Sequence, residues 1–336
     1  MTTIKDVARE ADVAISTVSK VLNDAGNVRP HLKARVLEAV DKLGYIPNTA
    51  ARSLKSRRKD TLGLFLFSIQ GEFFTTLSQA IHRLCQQSGY MLNIFVGNQN
   101  TSEEIHSRIL ASGVAGAIVF NETLAPQSIQ RITAHGIPLV FIDREYKALN
   151  ASSITIDNVA GASLAVNYLI RQGHRKIAYL HGNLSFDNAQ RFSAYQDIMK
   201  KNRLPIPEEW LLRGFYEEVL AYGEVRKAVL SGLPLPEAFF CANDEMAWGT
   251  IRALRDLGIA VPGQVSVVGF DDVTRAEHYS PALTTVHSPI AEVGTQSVKE
   301  LLRLLSDGTP KEGRIQRLAP SLITRESCTL RLDARV

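Results

Sequence analysis

The apolar positions of the first 44 residues recur at helical spacing in three short runs. In chain order these runs are Ile4, Val7, Ala8 and Ala11, then Val18, Val21 and Leu22, then Val36, Leu37, Val40 and Leu43. Only Asp12, Val13 and Ala14 separate the first two runs. Two helices joined by so tight a turn must cross steeply, and the turn needs a residue that tolerates a left-handed backbone, the place of Asp12. The pattern predicts a helix-turn-helix head closed by a third helix.

From residue 61 onward the pattern changes, and short apolar runs alternate with amphipathic stretches. The predicted strands span residues 61–69, 91–96, 116–120 and 139–142 in a first series, and 176–180, 238–241 and 266–269 in a second. The predicted helices lie near residues 73–88, 102–112, 126–135, 159–172, 189–202, 218–231 and 244–257. Such alternation is typical of parallel sheets covered by helices on both faces. The two series predict an α/β body of two similar subdomains with a cleft between them.

The charge of the 336-residue chain is concentrated at its start. Residues 1–60 carry 12 Lys and Arg against 7 Asp and Glu, whereas the remainder carries 26 against 27. A basic head suits a polyanion such as DNA, and the nearly neutral body does not. The first residues lack the pattern of a secretion signal, and no stretch approaches the roughly 18 uninterrupted apolar residues of a membrane span, so we expect a cytoplasmic protein.

Motifs that carry catalytic or metal chemistry are missing from the sequence. It has no Walker loop, Gly-x-Gly-x-x-Gly run, His-Glu-x-x-His pair or Gly-x-Ser-x-Gly elbow. The three cysteines, Cys85, Cys241 and Cys328, are odd in number and far apart, which fits neither a disulfide framework nor a zinc site. We therefore expect no enzymatic activity, no cofactor and no metal site.

The second predicted helix carries the residues expected to contact bases. In a helix-turn-helix unit this helix enters the major groove with its N-terminal residues facing the base edges. These residues are Ile15, Ser16 and Thr17, and Lys20 follows one turn later on the same side. Ile15 offers an apolar contact, whereas Ser16 and Lys20 offer hydrogen bonds. The alternative is a three-helix protein-binding module, but the basic charge favours DNA.

A short helix is expected between the head and the body. Pro47 ends the preceding structure, and Asn48 can cap a helix of about two turns over residues 49–55. Helices below roughly 12 residues are marginal without packing partners, so this one needs a partner to form. The basic residues that end it and follow it suit phosphates better than bases.

Polar and aromatic residues follow several predicted strands, where ligands of open parallel sheets lie. In chain order they are Phe73 and Phe74, Asp143 and Arg144, Arg191, Asn243 and Asp244, and Asp271. Aromatic rings can stack on the apolar face of a sugar while planar charged groups bridge its hydroxyls, so the set suits a polyol. Two alternatives stay open: Asp244 and Asp271 as helix caps, and one of the two adjacent phenylalanines as a core residue.

Three motifs of the chain resemble the lactose-repressor (LacI/GalR) family. They are Ile-Lys-Asp-Val-Ala-Arg-Glu-Ala at residues 4–11, Thr-Val-Ser-Lys-Val-Leu-Asn at 17–23 and Tyr-Ile-Pro-Asn-Thr-Ala-Ala-Arg-Ser-Leu at 45–54, and the resemblance runs over nearly the whole length. The family usually has Gly in the turn and Ser before the recognition helix, where this chain has Asp12 and Ala14. Because alanine has no side-chain oxygen to cap a helix, we expect the head to be less stable by ~1 kcal/mol.

For DNA binding, the resemblance implies that the hinge helix pairs with that of a second subunit in the minor groove of the operator, with a leucine wedged between base pairs. Leu54 matches the position of that leucine. Such a wedge kinks DNA. The alternative is that Leu54 packs into its own core. The remaining expected DNA contacts are Asn23, Asn48, Arg52 and Lys55.

For the body, the resemblance implies an effector in the cleft. Arg191, Asn243 or Asp244, and Asp271 stand where family members commonly hold it, and Tyr216 falls where some members place an aromatic lid. The implied domains are a head at residues 1–46, a hinge helix and linker at 47–60, a core at 61–330 and a tail at 331–336. One subdomain is expected at about 61–158 and 288–325 and the other at about 159–287, so that a helix at 289–305 and a strand at 322–325 complete the first.

These features predict a sequence-specific DNA-binding transcriptional regulator, expected to be a repressor of carbohydrate genes. It would bind a roughly palindromic operator as a homodimer and respond to a small sugar or sugar-like effector. The chain has no leucine heptads after Ile323, which predicts a dimer and not a tetramer. The resemblance leaves two alternatives for its control: a purine-type corepressor or a phosphorylated carrier protein. A transport-type binding protein is disfavoured by the basic head.

Overall fold

The computed structural model describes residues 2–22, 28–45, 60–97, 101–120, 124–232 and 234–331. These residues belong to two compact units, Met1–Lys59 and Asp60–Val336. The expected hinge helix lies outside the described residues. The same holds for five expected DNA contacts, which are Asn23, Asn48, Arg52, Leu54 and Lys55.

The described part of the first unit consists of α1 (Ile4–Glu10), α2 (Ile15–Leu22) and α3 (Pro30–Leu43). The N–H of Thr3 donates to Asp6 Oδ2 at 2.9 Å, which caps the start of α1. Helix α3 has Pro30 in its first turn and ends at Gly44, whose left-handed φ of 55° lets the chain turn away. The predicted helix-turn-helix head is confirmed.

The head has its own small core. Its buried side chains are Val7, Ala8, Ala11, Val18, Val21, Val36 and Ala39. The prediction that Leu37 lies in this core is wrong, because Leu37 is 45% exposed. The inward stripe of α3 passes through Val36, Ala39 and Val40 at intervals of three and four residues, which turns Leu37 by about 100° toward solvent.

The turn between α1 and α2 contains the two residues that depart from the family pattern. Asp12 has a left-handed φ of 47°, as predicted for this position. Arg35 of α3 holds it, with Nη2 lying 3.2 Å from Asp12 Oδ2. The carbonyl of Ala14 accepts the N–H groups of Thr17 and Val18 at 2.8 and 3.2 Å, so Ala14 stands at the N-cap of α2 without a capping side chain.

The second unit alternates strands and helices. It begins with β1 (Thr61–Leu66), α4 (Gly71–Gln87), β2 (Met91–Val96), α5 (Ser102–Ala111), β3 (Gly116–Phe120), α6 (Pro126–Ala134), β4 (Leu139–Ile142) and β5 (Ala151–Ile156). It continues with α7 (Asn158–Arg171), β6 (Ile177–His181), α8 (Phe186–Lys201), β7 (Leu211–Arg213), α9 (Glu218–Leu230), β8 (Ala238–Cys241), α10 (Asp244–Asp256) and β9 (Ser266–Asp271). It ends with α11 (Arg275–His278), β10 (Thr284–His287), α12 (Ile290–Leu305), β11 (Ile315–Leu318) and β12 (Ser321–Ile323), and short 3-10 turns lie at Glu208–Trp210 and Ser306–Gly308. No helix in the described ranges is both long and apolar enough to cross a membrane.

The strands form two sheets, as the two series predict, and each sheet has six strands. The first sheet has the order β11-β5-β4-β3-β1-β2 and is parallel throughout. The second has the order β12-β10-β9-β8-β6-β7 and is parallel except for β12. In each sheet the carboxyl ends of the parallel strands meet at one edge, which is where ligands of such sheets lie.

The last segment divides between the two sheets. Helix α12 packs on the first sheet beside α4, and β11 extends that sheet next to β5. The expectation that a strand at residues 322–325 also completes the first subdomain is wrong, because β12 pairs antiparallel with β10 in the second sheet. The free edge of β10 offers unpaired backbone groups, and β12 satisfies them.

The apolar pattern does not predict β5, β7, β10 or β11. Strand β5 carries Ser152, Ser153 and Thr155, all buried, which breaks the apolar run. The hydroxyl of Ser152 donates to Glu300 Oε1 at 2.6 Å and that of Ser153 to the carbonyl of Tyr146 at 2.8 Å. These partners satisfy the buried hydroxyls of Ser152 and Ser153, so polar residues can occupy an interior strand, whereas the buried Thr155 hydroxyl has no hydrogen-bond partner among the described residues.

The chain passes between the two subdomains at three crossings. The first crossing is Asp157, between β5 and α7, the second is Ser288 and Pro289, between β10 and α12, and the third is Ala319 and Pro320, between β11 and β12. The N–H of Asp157 donates to the carbonyl of Leu318 at 3.0 Å, which ties the first crossing to the third. Any relative rotation of the subdomains must change the backbone at these crossings.

Candidate functional site

The residues predicted to contact bases lie on the solvent side of α2. Ile15 is 46% exposed, and Ser16 and Lys20 are also exposed, whereas Thr17 is half-buried. Val18 and Val21 point the opposite face of the helix into the core. A solvent-exposed isoleucine beside a serine and a lysine is suited to a surface that a partner covers. Base contacts by these residues stay a prediction.

Arg191 is the centre of the polar cluster in the second subdomain. It lies on α8, is 4% exposed and places its guanidinium 3.7 Å from the centroid of the Phe270 ring. Its Nε donates to Asn158 Oδ1 at 2.9 Å, and its Nη1 donates to the carbonyl of Ala242. A buried guanidinium needs partners on every side, and these contacts fix its plane.

Asp187 is the charged partner of Arg191. It lies one turn earlier on α8, and its Oδ2 is 3.4 Å from Arg191 Nη2. The hydroxyls of Ser185 and Tyr216 also donate to this carboxylate. Three donors therefore hold Asp187 in place and compensate its burial.

Tyr216 closes over the start of α8 from the loop after β7. Phe215 and Tyr216 have left-handed φ angles of 55° and 66°, which is uncommon for aromatic residues. The Tyr216 ring packs on Gly182, where a β-carbon would approach the ring within 2.1 Å. Burial, together with the charge of Asp187, raises the pKa of the Tyr216 hydroxyl well above its ordinary value, so the hydroxyl stays a donor.

Asp271 ends β9 on the same side of the sheet. It is 7% exposed and has a φ of 118°, an unusual value for a residue with a side chain. Its Oδ1 accepts the hydroxyl of Ser288 at 3.3 Å. Burial raises the pKa of Asp271 to about 7, although the positive charge of Arg191 opposes this rise. A lightly bonded carboxyl group at the end of a strand can accept a hydrogen bond from a ligand.

Asn243 and Asp244 begin α10 and serve the fold. Asn243 is the N-cap, because its side chain accepts the N–H of Met246 at 3.0 Å. Asp244 is fully buried, and its two oxygens accept the hydroxyl of Thr285 and the N–H of Val273. The expectation that Asp244 faces an effector therefore needs correction: both of its oxygens brace β10 and the loop after β9.

Phe73 and Phe74 lie near the carboxyl ends of β1 and β3. Their ring centroids are 5.4 Å apart, and both contact Phe120, at 5.7 and 5.4 Å. Phe67 joins the group, 5.2 Å from Phe74 and 37% exposed. The expectation that one of the adjacent phenylalanines is a core residue does not describe this arrangement, because both are half-buried in one aromatic cluster.

Asp143 and Arg144 follow β4. Asp143 has a left-handed φ of 58°. The Nη1 of Arg144 donates to the carbonyl of Leu124 at 2.5 Å, and its guanidinium lies 5.3 and 5.2 Å from the rings of Phe141 and Tyr146. The structure thus directs Arg144 toward its own subdomain, where it holds the start of α6.

The two subdomains touch where α4 begins. The N–H of Arg275 donates to Glu72 Oε2 at 3.3 Å. At Gly71, whose φ is 83°, a β-carbon would lie 2.5 Å from Glu245 Oε1. The phenylalanine cluster follows these residues on α4, so the aromatic group of the first subdomain adjoins the second.

Several residues of this site are not predicted from the sequence. Asp187 carries a usable signal, because an acidic residue four positions before an arginine on a helix can pair with it. Phe67 and Phe120 lie at the ends of predicted strands, which is also a signal. Asn158 and Ser288 carry none, because their importance comes from the crossings that only the fold defines.

Comparison with known families agrees with this architecture. A model described as "Bacterial regulatory proteins, lacI family" matches residues 3–48, which include the described helices of the head. A second model, described as "Periplasmic binding protein-like domain", matches residues 166–328. The first match lies within the first compact unit and the second match within the second.

Relatives match over nearly the whole length. The HTH-type transcriptional repressor PurR of Histophilus somni (strain 129Pt) is 33% identical over 332 residues, which cover 97% of this chain and 99% of the relative. The HTH-type transcriptional repressor PurR of Vibrio vulnificus (strain CMCP6) is 34% identical over 333 residues, 97% of this chain and 98% of the relative.

Solved structures are similar over the same length. The lac repressor dimer bound to operator and the anti-inducer ONPF has a TM-score of 0.82 at 28% identity, covering 98% of this chain and 99% of that one. The transcriptional regulator CelR in complex with cellobiose has a TM-score of 0.72 at 26% identity, covering 97% and 100%. The protein is therefore a DNA-binding transcriptional repressor and not an enzyme. The chain belongs to the lacI family of bacterial regulatory proteins.

Proposed function

We propose that the protein represses transcription in the cytoplasm as a homodimer on operator DNA, and that a purine-type corepressor in the cleft of the body controls it. The observation that carries the proposal is that Arg191 and Asp271 lie buried in one subdomain while a half-buried phenylalanine cluster lies in the other, near the point where the two subdomains touch. A flat heterocycle offers faces that stack on aromatic rings and edges that carry both donors and acceptors. The relatives named PurR, 31–34% identical, support a purine over a sugar.

In this arrangement each group has a distinct role. The carboxylate of Asp271 accepts a ring N–H of the ligand, and the fixed guanidinium of Arg191 orients Asp187 and neutralises the site. Phe73 and Phe74 supply the stacking surface from the other subdomain. A ligand that contacts both subdomains stabilises their closed arrangement, and by linkage it changes operator affinity by the same factor by which DNA changes ligand affinity.

A second candidate is the sugar effector that the sequence predicts. The complex of CelR with cellobiose supports it, because that protein matches 97% of this chain. Carboxylate and guanidinium groups can also bridge the hydroxyls of a polyol. The two candidates differ in sign, since a corepressor strengthens operator binding and an inducer weakens it.

Calorimetry with the full-length protein distinguishes the candidates. The ligands are adenine, guanine, hypoxanthine and xanthine in one set, and glucose, galactose, ribose and cellobiose in the other. We expect binding heat with at least one purine, and tighter binding to an operator selected from random DNA when that purine is present. Heat with a sugar, together with weaker operator binding, would establish the second candidate.

The matched variants are Asp271→Asn and Asp256→Asn. Asp256 lies at the exposed end of α10 and contacts Tyr222 outside the cluster around Arg191. We expect Asp271→Asn to weaken ligand binding by about tenfold or more, the effect of losing a charge-assisted hydrogen bond, and Asp256→Asn to leave it unchanged. If no purine and no sugar gives heat, the small-molecule proposal fails and a protein partner such as a phosphorylated carrier becomes the better explanation.

A further inference from the structure

Residues in or next to two of the three crossings are hydrogen-bonded to residues of the proposed pocket. Asn158 immediately follows the first crossing, is 3% exposed, and its Oδ1 accepts Arg191 Nε at 2.9 Å. Ser288, in the second crossing, is 2% exposed, and its hydroxyl donates to Asp271 Oδ1 at 3.3 Å. Its N–H also donates to the carbonyl of Asp271 at 3.2 Å.

The third crossing differs from the other two. Ala319 and Pro320 carry no polar side chain that could reach the pocket. The carbonyl of Leu318, just before this crossing, accepts the N–H of Asp157 at 3.0 Å. Direct contact with the pocket is therefore made next to the first crossing, by Asn158, and within the second, by Ser288.

We propose that Asn158 and Ser288 are positioning residues that transmit the state of Arg191 and Asp271 to the backbone of the first two crossings. The inference rests on the proposed function in one respect, namely that Arg191 and Asp271 belong to the effector site. A ligand that draws on the Asp271 carboxyl or shifts the Arg191 guanidinium competes with these two hydrogen bonds. Their loss or reorientation releases the crossing backbone that subdomain rotation must bend.

The hydrogen bonds Arg191–Asn158 and Ser288–Asp271 suit such a role because both are buried and both involve a residue at or just before the start of a helix that follows a crossing. Asn158 is the first residue of α7, and the N-cap Asp157 beside it accepts the N–H of Ala160 at 2.9 Å. Two residues after Ser288, the N–H of Ile290 donates to the carbonyl of Ser288 at 2.7 Å. A displacement of either side chain therefore acts on the first turn of α7 or α12.

The test is hydrogen exchange on the full-length protein without any ligand, so its outcome does not depend on which effector binds. Arg191→Lys removes the Nε donor, and Asn158→Ala removes its acceptor. Each single variant is expected to speed exchange of residues 156–160 by about fivefold, as expected for the loss of one buried hydrogen bond. The double variant is expected to exchange no faster than the faster single variant, because both changes break the same connection.

Two control variants separate transmission from general loosening. Asn167→Ala changes an asparagine on the same helix, whose Nδ2 donates to the carbonyl of Ser163, and should leave residues 156–160 unchanged. Asn158→Asp keeps an oxygen facing Arg191 and should restore slow exchange. Failure of Asn158→Asp to restore it would overturn the role of the acceptor.

The second crossing provides an independent arm should Arg191→Lys not fold. Asp271→Ala and Ser288→Ala are each expected to speed exchange of residues 287–291, non-additively in combination, whereas Ser163→Ala on α7 has no such effect. Ser288→Thr, which keeps the hydroxyl, should behave like the wild type. Additive effects in both arms, or pocket variants that leave the crossings unchanged, would overturn the proposal even if a ligand binds in the cleft.

Discussion

At the scale of single residues, Asp271 combines burial with a sparse set of partners. Its carboxyl group is buried near Asp187, which also disfavours its charge, and Arg191 compensates this only in part. The resulting pKa of about 7 means that both protonation states are populated near neutral pH. In the unfolded chain the same group ionises near its ordinary value of 3.8.

This difference predicts how stability depends on pH. Because the folded state holds the proton more tightly, the stabilising contribution of protonated Asp271 is present below pH 3.8 and is lost as pH rises through about 7. Asp271→Asn, which has no such titration, should therefore show a smaller loss of unfolding free energy between pH 4 and pH 7, by roughly 1–4 kcal/mol. Urea unfolding across this range measures the difference between the two proteins, and parallel curves would contradict it.

Two glycines show how the space around a residue decides whether a glycine-to-alanine substitution stabilises or destabilises the protein. At Gly182 a β-carbon would lie 2.1 Å from the Tyr216 ring, whereas at Gly223 in α9 nothing lies within 4 Å. Gly182→Ala should destabilise the protein by about 1–3 kcal/mol because the added methyl group would displace the Tyr216 ring from its packed position. Gly223→Ala should stabilise it by roughly 0.5–1 kcal/mol because alanine loses less backbone entropy in a helix. Thermal unfolding of both variants measures the two effects. Equal effects at both sites would contradict the packing of the Tyr216 ring on Gly182.

The candidate site was predictable only where chemistry is local. Arg191 and Asp271 follow strands, and their charge marks them in the sequence. Asp244 also follows a strand and carries a charge, yet both of its carboxylate oxygens accept hydrogen bonds from Thr285 and Val273. No sequence pattern specifies such long-range partners. Asn158 becomes part of the site only because the fold brings it next to Arg191, which lies 33 positions later in the sequence.

At the scale of elements, α2 begins without a capping side chain. The carbonyl of Ala14 already accepts two helical N–H groups, so its position is that of an N-cap, and Ala14 is exposed to solvent. Ala14→Ser should stabilise the head by ~1 kcal/mol, because a serine hydroxyl can accept an orphan N–H of the first turn. Hydrogen exchange of residues 15–22 should slow accordingly, and Ala14→Val serves as the control without a cap. Equal exchange in the serine and valine variants would contradict the capping argument.

The elements that the sequence predicts correctly are those with continuous apolar runs. Strands β3, β4 and β8 are buried along their whole length and lie where the runs place them. Strand β10 contains Thr284 and Thr285, which are fully buried but polar, so the pattern conceals it. Strand β12 shows a different limit, because the choice between two sheets depends on which edge is open and not on its own residues.

At the scale of the body as a whole, a small group of charges connects the two subdomains where α4 begins. Glu72 accepts the N–H of Arg275, and Arg275 Nη1 in turn lies 2.9 Å from Glu218 Oε2. Burial and the charge of Glu218 raise the pKa of Glu245, and Glu72 adds to this effect while Arg275 opposes it. Glu72 therefore attracts the second subdomain through a hydrogen bond and repels it through its charge.

Two substitutions at Glu72 separate these contributions. Glu72→Gln keeps an oxygen acceptor for Arg275 and removes the repulsion, so it should favour the closed arrangement. Glu72→Ala loses the acceptor and should reduce the closed-to-open ratio by roughly two- to fivefold, the effect of one part-exposed hydrogen bond. Small-angle X-ray scattering of the full-length protein would report a smaller radius of gyration for the first variant and a larger one for the second. Glu292→Gln, an exposed change in the first turn of α12, should match the wild type. If Glu72→Gln opened the body as Glu72→Ala does, the charge of Glu72 and not its hydrogen bond would hold the two subdomains together.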